Sequence, residues 1–173
     1  MLISSVQQIP PLRQKILRAA DRAVEQLRSL LSAGRPNIEV LSEMKHGKVG
    51  FHPLEDRPLN LIGQLTETFS WLAALSATEL LYRNHPEVPA YKVNAGSSGR
   101  GSDIVSEPKG EVAAETFAQI GPFDGKLNEE INRVLRTEAK HKYVFFHSPG
   151  FAVGRHPELE REGMQVWVVE GPR

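Results

Sequence analysis

Two acidic residues, Asp103 and Glu115, lie twelve positions apart in the stretch Gly101 to Ala118, which has the pattern of a β-hairpin. If Ser106 pairs with Val112 around a five-residue loop, 107–111, then Asp103 falls directly opposite Glu115. Cross-strand partners share a face of the sheet, with β-carbons about 5 Å apart. Two carboxylates held that close repel each other. Either a hard divalent cation such as Mg²⁺ sits between them, or the pair shares a proton, which raises one pKa. A two-residue loop at Pro108-Lys109 would instead pair Ser102 with Glu115 and send the acids to opposite faces. A third reading has Asp103 capping a turn and Glu115 in an ion pair.

Other residues point less sharply to chemistry. The loop Gly96-Ser97-Ser98-Gly99-Arg100-Gly101 could cradle a phosphate on backbone N–H groups. It lacks the Gly-Lys-Ser/Thr ending of a P-loop and reads more simply as a hairpin tip. The six histidines form neither a helical i, i+4 pair nor an HEXXH motif, so zinc is weakly indicated. With no cysteine, thiolate catalysis, disulfides and Cys-based metal sites are excluded.

The elements that must position the acids follow from periodicity and punctuation. Pro10 to Ala33 reads as an amphipathic helix with Leu12, Ile16, Ala20, Ala23, Leu27 and Leu30 on one stripe, closed by Gly34 and Pro36. Residues 37–57 read as a long connection in which only Ile38 to Leu41 suggests a strand. A second helix is expected over 59–82, with Ile62, Leu65, Phe69, Leu72 and Leu80 facing inward. Strands are expected at Tyr91–Asn94, Ser102–Ser106 and Val112–Ile120, then a helix over Lys126–Arg136 and a strand at Tyr143–Phe146. A short helix at His156–Glu162 and a last strand at Met164–Val169 complete the chain.

The chain has 173 residues, 40% of them hydrophobic, enough for a buried core. Twenty-one basic side chains balance twenty-one acidic ones, which excludes a polycation that coats nucleic acid but not a local basic patch. No apolar run is long enough to span a membrane and the N-terminus lacks a secretion-signal layout, so a cytoplasmic protein without membrane contact is expected. Residues 1–57, with nine basic and six acidic side chains, form an N-terminal helix and irregular arm; residues 58–173 form the α/β domain.

The order α-β-β-β-α-β from residue 59, with an acid on the second strand and another on the third, resembles the core of the PD-(D/E)XK nuclease superfamily. Asp103 in Gly101-Ser102-Asp103-Ile104 matches that motif's aspartate, and Glu115 after Val112-Ala113-Ala114 matches its second acid. Gly125-Lys126-Leu127-Asn128, opening the following helix, is also similar to the family. The resemblance implies a restriction-endonuclease-like mixed central sheet flanked by helices, with an N-terminal helical extension. It also implies Mg²⁺ held by Asp103, Glu115 and Glu67 (or, less readily, Gln64), and Mg²⁺-dependent cleavage of DNA. Arg100 and Lys109 are candidate contacts to the nucleic-acid backbone. Many nucleases of this kind work as dimers, and a homodimer through the N-terminal helix is the expected assembly. One position departs from the pattern: where the motif has lysine this chain has Phe117. Lys126 is the candidate replacement as a catalytic cation, and Gln119 an alternative polar group. Otherwise the site is inactive, and the fold serves a non-catalytic interaction or assembly subunit.

Overall fold

The computed structural model describes residues 1–55, 57–95, 101–119, 124–161 and 163–171, Asp124 by its backbone only. Most of the Gly96–Gly101 loop, including Arg100, therefore lies outside the described residues.

The described elements run β1 (Leu2–Ile3), α1 (Ile9–Ser32), α2 (Asn37–His46), β2 (Gly50–Phe51), β3 (Pro58–Leu59), α3 (Leu61–Asn84), β4 (Ala90–Val93), β5 (Ile104–Glu107), β6 (Val112–Ala118), α4 (Asp124–Leu135), β7 (His141–His147), β8 (Gly154–Arg155) and β9 (Gln165–Val168). Among these residues seven strands form one mixed sheet in the order β1-β4-β5-β6-β7-β9-β8, and β2 pairs with β3 apart from it. The meander β4-β5-β6 is antiparallel. β6 and β7 are parallel, joined by α4, as a crossover connection requires.

Side chains alternate across β6 and β7 and split the core in two. Val112, Ala114, Tyr143 and Phe145 pack with Leu72 and Leu75 of α3. Ala113, Phe117, Val144 and Phe146 pack with Leu127, Ile131 and Val134 of α4. The sheet thus separates whatever faces α3 from whatever faces α4.

Several elements differ from their sequence patterns. Ile38–Leu41 is not a strand but part of α2, which Glu39 in its first turn and Lys45 and His46 in its last turn suit electrostatically. On α3 the buried side carries Gln64, Thr68, Trp71, Leu75 and Thr78, while Ile62, Leu65 and Phe69 are exposed. This helix is alanine-rich and apolar around much of its circumference, so no single stripe identifies its inner face. The segment expected as a helix at His156–Glu162 contains only a 3₁₀ turn, Pro157–Leu159.

Residues 1–57 share the main core. β1 extends the sheet beside β4, and Ile3, Ile9 and Ile16 belong to the cluster built on α3. Ala19 and Ala23 are buried as well. The first half of the α1 stripe is therefore covered inside the chain, whereas in its second half Leu27 and Leu30 are only partly buried. No helix among the described residues is long and apolar enough to cross a membrane.

Candidate functional site

The hairpin register places the acids as the five-residue loop predicts. Ile104 pairs with Ala114 and Val105 with Ala113, so Asp103 stands across from Glu115. Ser106 fixes the loop: its hydroxyl accepts from the backbone N–H groups of Glu111 and Val112 at 3.2 and 3.1 Å. The two-residue alternative, with Ser102 opposite Glu115, is thereby excluded.

The acids are held differently. Asp103 Oδ2 accepts from Thr116 N at 2.8 Å and Thr116 Oγ1 at 3.1 Å, serving a strand N–H just past the last β5–β6 ladder pair. Glu115 lies between Ala113 and Phe117 on the α4 face and is fully buried. Arg133 Nη1 of α4 donates to Glu115 Oε2 at 3.3 Å and stands 3.0 Å from Oε2 of Glu130, itself almost fully buried. Nη2 of the same guanidinium donates to Glu129 at 3.0 Å. Glu115 Oε1 and Ser102 Oγ, both buried, make no hydrogen bond of regular geometry, although Ser102 lies near enough to favour the charged carboxylate.

Burial, and then the charge of Asp103, push the Glu115 carboxyl up to about 8; Glu130 adds to the rise, and Ser102 and Arg133 oppose it. Asp103 is also raised, chiefly by burial, against the pull of its Thr116 hydrogen bonds. Both carboxyls are thus held above their ordinary values, and Glu115 lies in an ion pair, with Arg133, as the third reading from the sequence has it.

The other sequence candidates are placed elsewhere. Glu67 does not join the acid pair: it lies on α3, across the sheet from Glu115, with its carboxylate 3.6 Å from His52 Nε2. Gln64 is buried beside Thr68, its amide donating to the hydroxyl at 2.9 Å. Lys126 is not the cation on the pair. It is bound to Glu130 at 2.5 Å and Glu129 at 3.6 Å, while Arg133, two helical turns further along α4, reaches Glu115. Gln119 lines an apolar groove with Leu65, Phe69, Ala118, His147 and Pro149, away from the acids. Phe117 is 5% exposed and stacked on Phe146, with ring centroids 5.3 Å apart and planes 9° from parallel. Its cluster among the described residues is apolar and includes Leu127, Ile131 and Val144.

The donor set does not fit the implied Mg²⁺ as it stands. Among the described residues, no three His, Cys, Asp or Glu side chains are grouped so as to hold a metal ion. One oxygen of Asp103 is committed to Thr116, and the oxygens of Glu115 and Glu130 that converge do so on Arg133. Mg²⁺ demands near-octahedral oxygen ligation and keeps several waters, which a fully buried carboxylate under a guanidinium does not admit.

Beside this cluster the sheet is open. α4 covers β6 and β7, but the same face of β4 and β5 borders a groove of about 480 Å³. Lys92, Val105 and Ala113 are aligned across the three strands and lie along it. Asn94, Ser102, Lys109 and Thr137 add polar lining, and Glu138 one opposing charge. Sequence reasoning found Lys109 but missed Lys92, Glu130 and Arg133. The signal for the last two is the Glu129-Glu130-Arg133 spacing, which places both acids within one turn of the arginine.

No protein-family model, no curated protein and no solved structure matches this chain.

Proposed function

We propose that this chain binds DNA through the groove over β4 and β5, on a nuclease-like α-β-β-β-α-β core, without cleaving it. The observation that carries the reading is the closed acid pair beside an open polar groove. Arg133 already stands against Glu115 and Glu130, while Lys92 and Lys109 line the cleft next to them. Supporting it, Phe117 occupies the strand position of the water-activating lysine with a dry aromatic stack. Arg100, at the far end of the adjacent loop in sequence, is a further candidate contact, lying outside the described residues. Binding of this kind is governed by phosphate neutralisation and counterion release.

Fluorescence anisotropy of labelled single-stranded and duplex DNA across a salt series tests the proposal. Binding is expected without Mg²⁺, weakening steeply with salt. Replacing Lys92 and Lys109 together by alanine should reduce the log–log salt slope by about two, one per lost phosphate contact. Binding that ignores salt and both lysines would reject the groove as the interface. A second reading, an assembly subunit that keeps the fold, is favoured by the exposed Ile62, Leu65 and Phe69 on α3. It would gain from an absence of DNA binding at low salt.

A further inference from the structure

The outermost strand of the sheet, β8, pairs with β9 at two positions only, Gly154 with Val168 and Arg155 with Trp167. Side chains of the 151–160 segment hold the rest. Arg155 Nε and Nη2 donate to Oε1 and Oε2 of Glu160 at 2.7 and 2.9 Å, and Glu160 Oε1 accepts from the Val166 N–H of β9 at 3.2 Å. His156 donates its backbone N–H to the Val166 carbonyl at 2.9 Å. Its ring stands edge-on to Phe151, between Ala152 O, 2.8 Å from Nε2, and Glu158 Oε1, 2.7 Å from Nδ1. A carbonyl oxygen only accepts, so Nε2 carries a proton. The exposed Glu158 carboxyl is held below its ordinary range, first of all by its hydrogen bond to His156, so it accepts as well and Nδ1 carries a second proton. Of the three states of the ring, only the imidazolium satisfies both oxygens.

We infer that His156 is a proton-operated clasp: as a cation it ties the 151–160 segment over the outer edge of β9, and loss of its proton releases that cover. A neutral ring turns a bare lone pair towards one of the two oxygens, so one contact must break. The hydrogen bond to Ala152 holds the imidazole above its ordinary value of 6.5, with burial opposing and Glu158 assisting. The clasp therefore contributes in full below pH 6.5 and is lost as pH rises through the folded-state value. Among the described residues the other charges at the ring are few. Arg155 and Glu160 are paired with each other, and Gln165–Val168 of β9 carries none. The edge so covered matters because an uncovered strand edge is a template for pairing with another chain.

Imidazole nitrogen NMR and amide hydrogen exchange on the intact chain test the clasp. At about pH 6 both ring nitrogens of His156 are expected to be protonated, with a titration midpoint above 6.5 that Glu158→Gln lowers. Protection factors of the His156 and Val166 amides, corrected for the intrinsic pH dependence of exchange, are expected to fall between about pH 6 and about pH 9. The fall is about tenfold for each pH unit by which the midpoint exceeds the ordinary value. In His156→Gln the same factors should not change with pH. Both proteins keep Glu115, so their difference leaves out the titration of that carboxyl. If glutamine loosens the segment at every pH, Glu158→Gln, which retains the ring, is expected to move the fall to lower pH. Three outcomes overturn the inference: a His156 midpoint at or below 6.5, the same pH dependence of protection in wild type and His156→Gln, or a titration of His156 that leaves both amides equally protected.

Discussion

Phe117→Lys, which introduces the lysine of the resembled motif, is expected to destabilise the protein by about 3–5 kcal/mol and to confer no DNA cleavage. The ring is 5% exposed and stacked on Phe146, which meets Phe151 edge-on at 5.2 Å; Leu127, Ile131 and Val144 belong to the same cluster. Removing a buried phenyl ring from such a cluster costs about 3–5 kcal/mol through lost transfer energy and residual cavity. A lysine stem refills part of that volume but brings an ammonium into hydrocarbon, which is costly without a partner. Lys126 and Arg133 already stand on Glu130 and Glu115, so the neighbouring acids are not short of positive charge. For a chain of this length the loss amounts to roughly 6–20 °C in Tm. Phe117→Leu, which keeps the site apolar, should cost much less. Chemical denaturation of the three proteins measures the difference. A lysine variant as stable as wild type that also cuts DNA would mean that the aromatic stack merely fills a polar cleft.

The second large effect has the opposite sign. Glu115→Gln is expected to stabilise the protein by about 1–3 kcal/mol above pH 8 and to flatten its pH dependence. Burial and the neighbouring Asp103 raise the Glu115 carboxyl to about 8, whereas in the unfolded chain it titrates near its ordinary value of 4.5. Between these values the folded protein holds a proton that the unfolded chain has released. Folding stability contributed by this group therefore falls as pH rises from about 4.5 to about 8 and is lowest above that window. Glutamine stays neutral throughout. Its oxygen can still accept from Arg133, and its amide can donate to a neighbouring carboxylate. Melting curves from pH 5 to pH 9 should show the two proteins diverging as pH rises. A variant less stable than wild type at pH 9, with the slope unchanged, would mean that an ionised Glu115 paired with Arg133 is net stabilising.

Much of this arrangement was legible in the sequence because hairpins carry their register locally. Of the two registers the sequence left open, the five-residue loop from Glu107 to Glu111 is the one that sets Asp103 across from Glu115, as found. The order of a helix, three strands, a helix and a strand came from the change of period around residues 85–90 and the glycine and proline breaks. What closed the site was not legible in the same way. Arg133 is one of two cations on α4, and only its turn of the helix relative to β6 selects it over Lys126. Glu67 carried an acid at a suggestive place in the chain, but its helix packs on the wrong side of the sheet. Strand pairs two residues long, such as Leu2–Ile3 against Tyr91–Lys92, have no period to read at all. The inner face of α3 was misread because alanine on many sides leaves exposed Leu65 and Phe69 as plausible as buried Leu72 and Leu75.

The proposed function is DNA binding without cleavage, with an internal guanidinium against the acid pair and an aromatic stack beside it. It is tested most directly by incubating the wild-type protein with supercoiled plasmid and with single-stranded DNA in Mg²⁺ or Mn²⁺, beside Asp103→Ala. The account predicts DNA that is retarded on a native gel and recovered intact after deproteinisation, with both proteins. Divalent-metal-dependent nicking by the wild type that disappears in Asp103→Ala would contradict it.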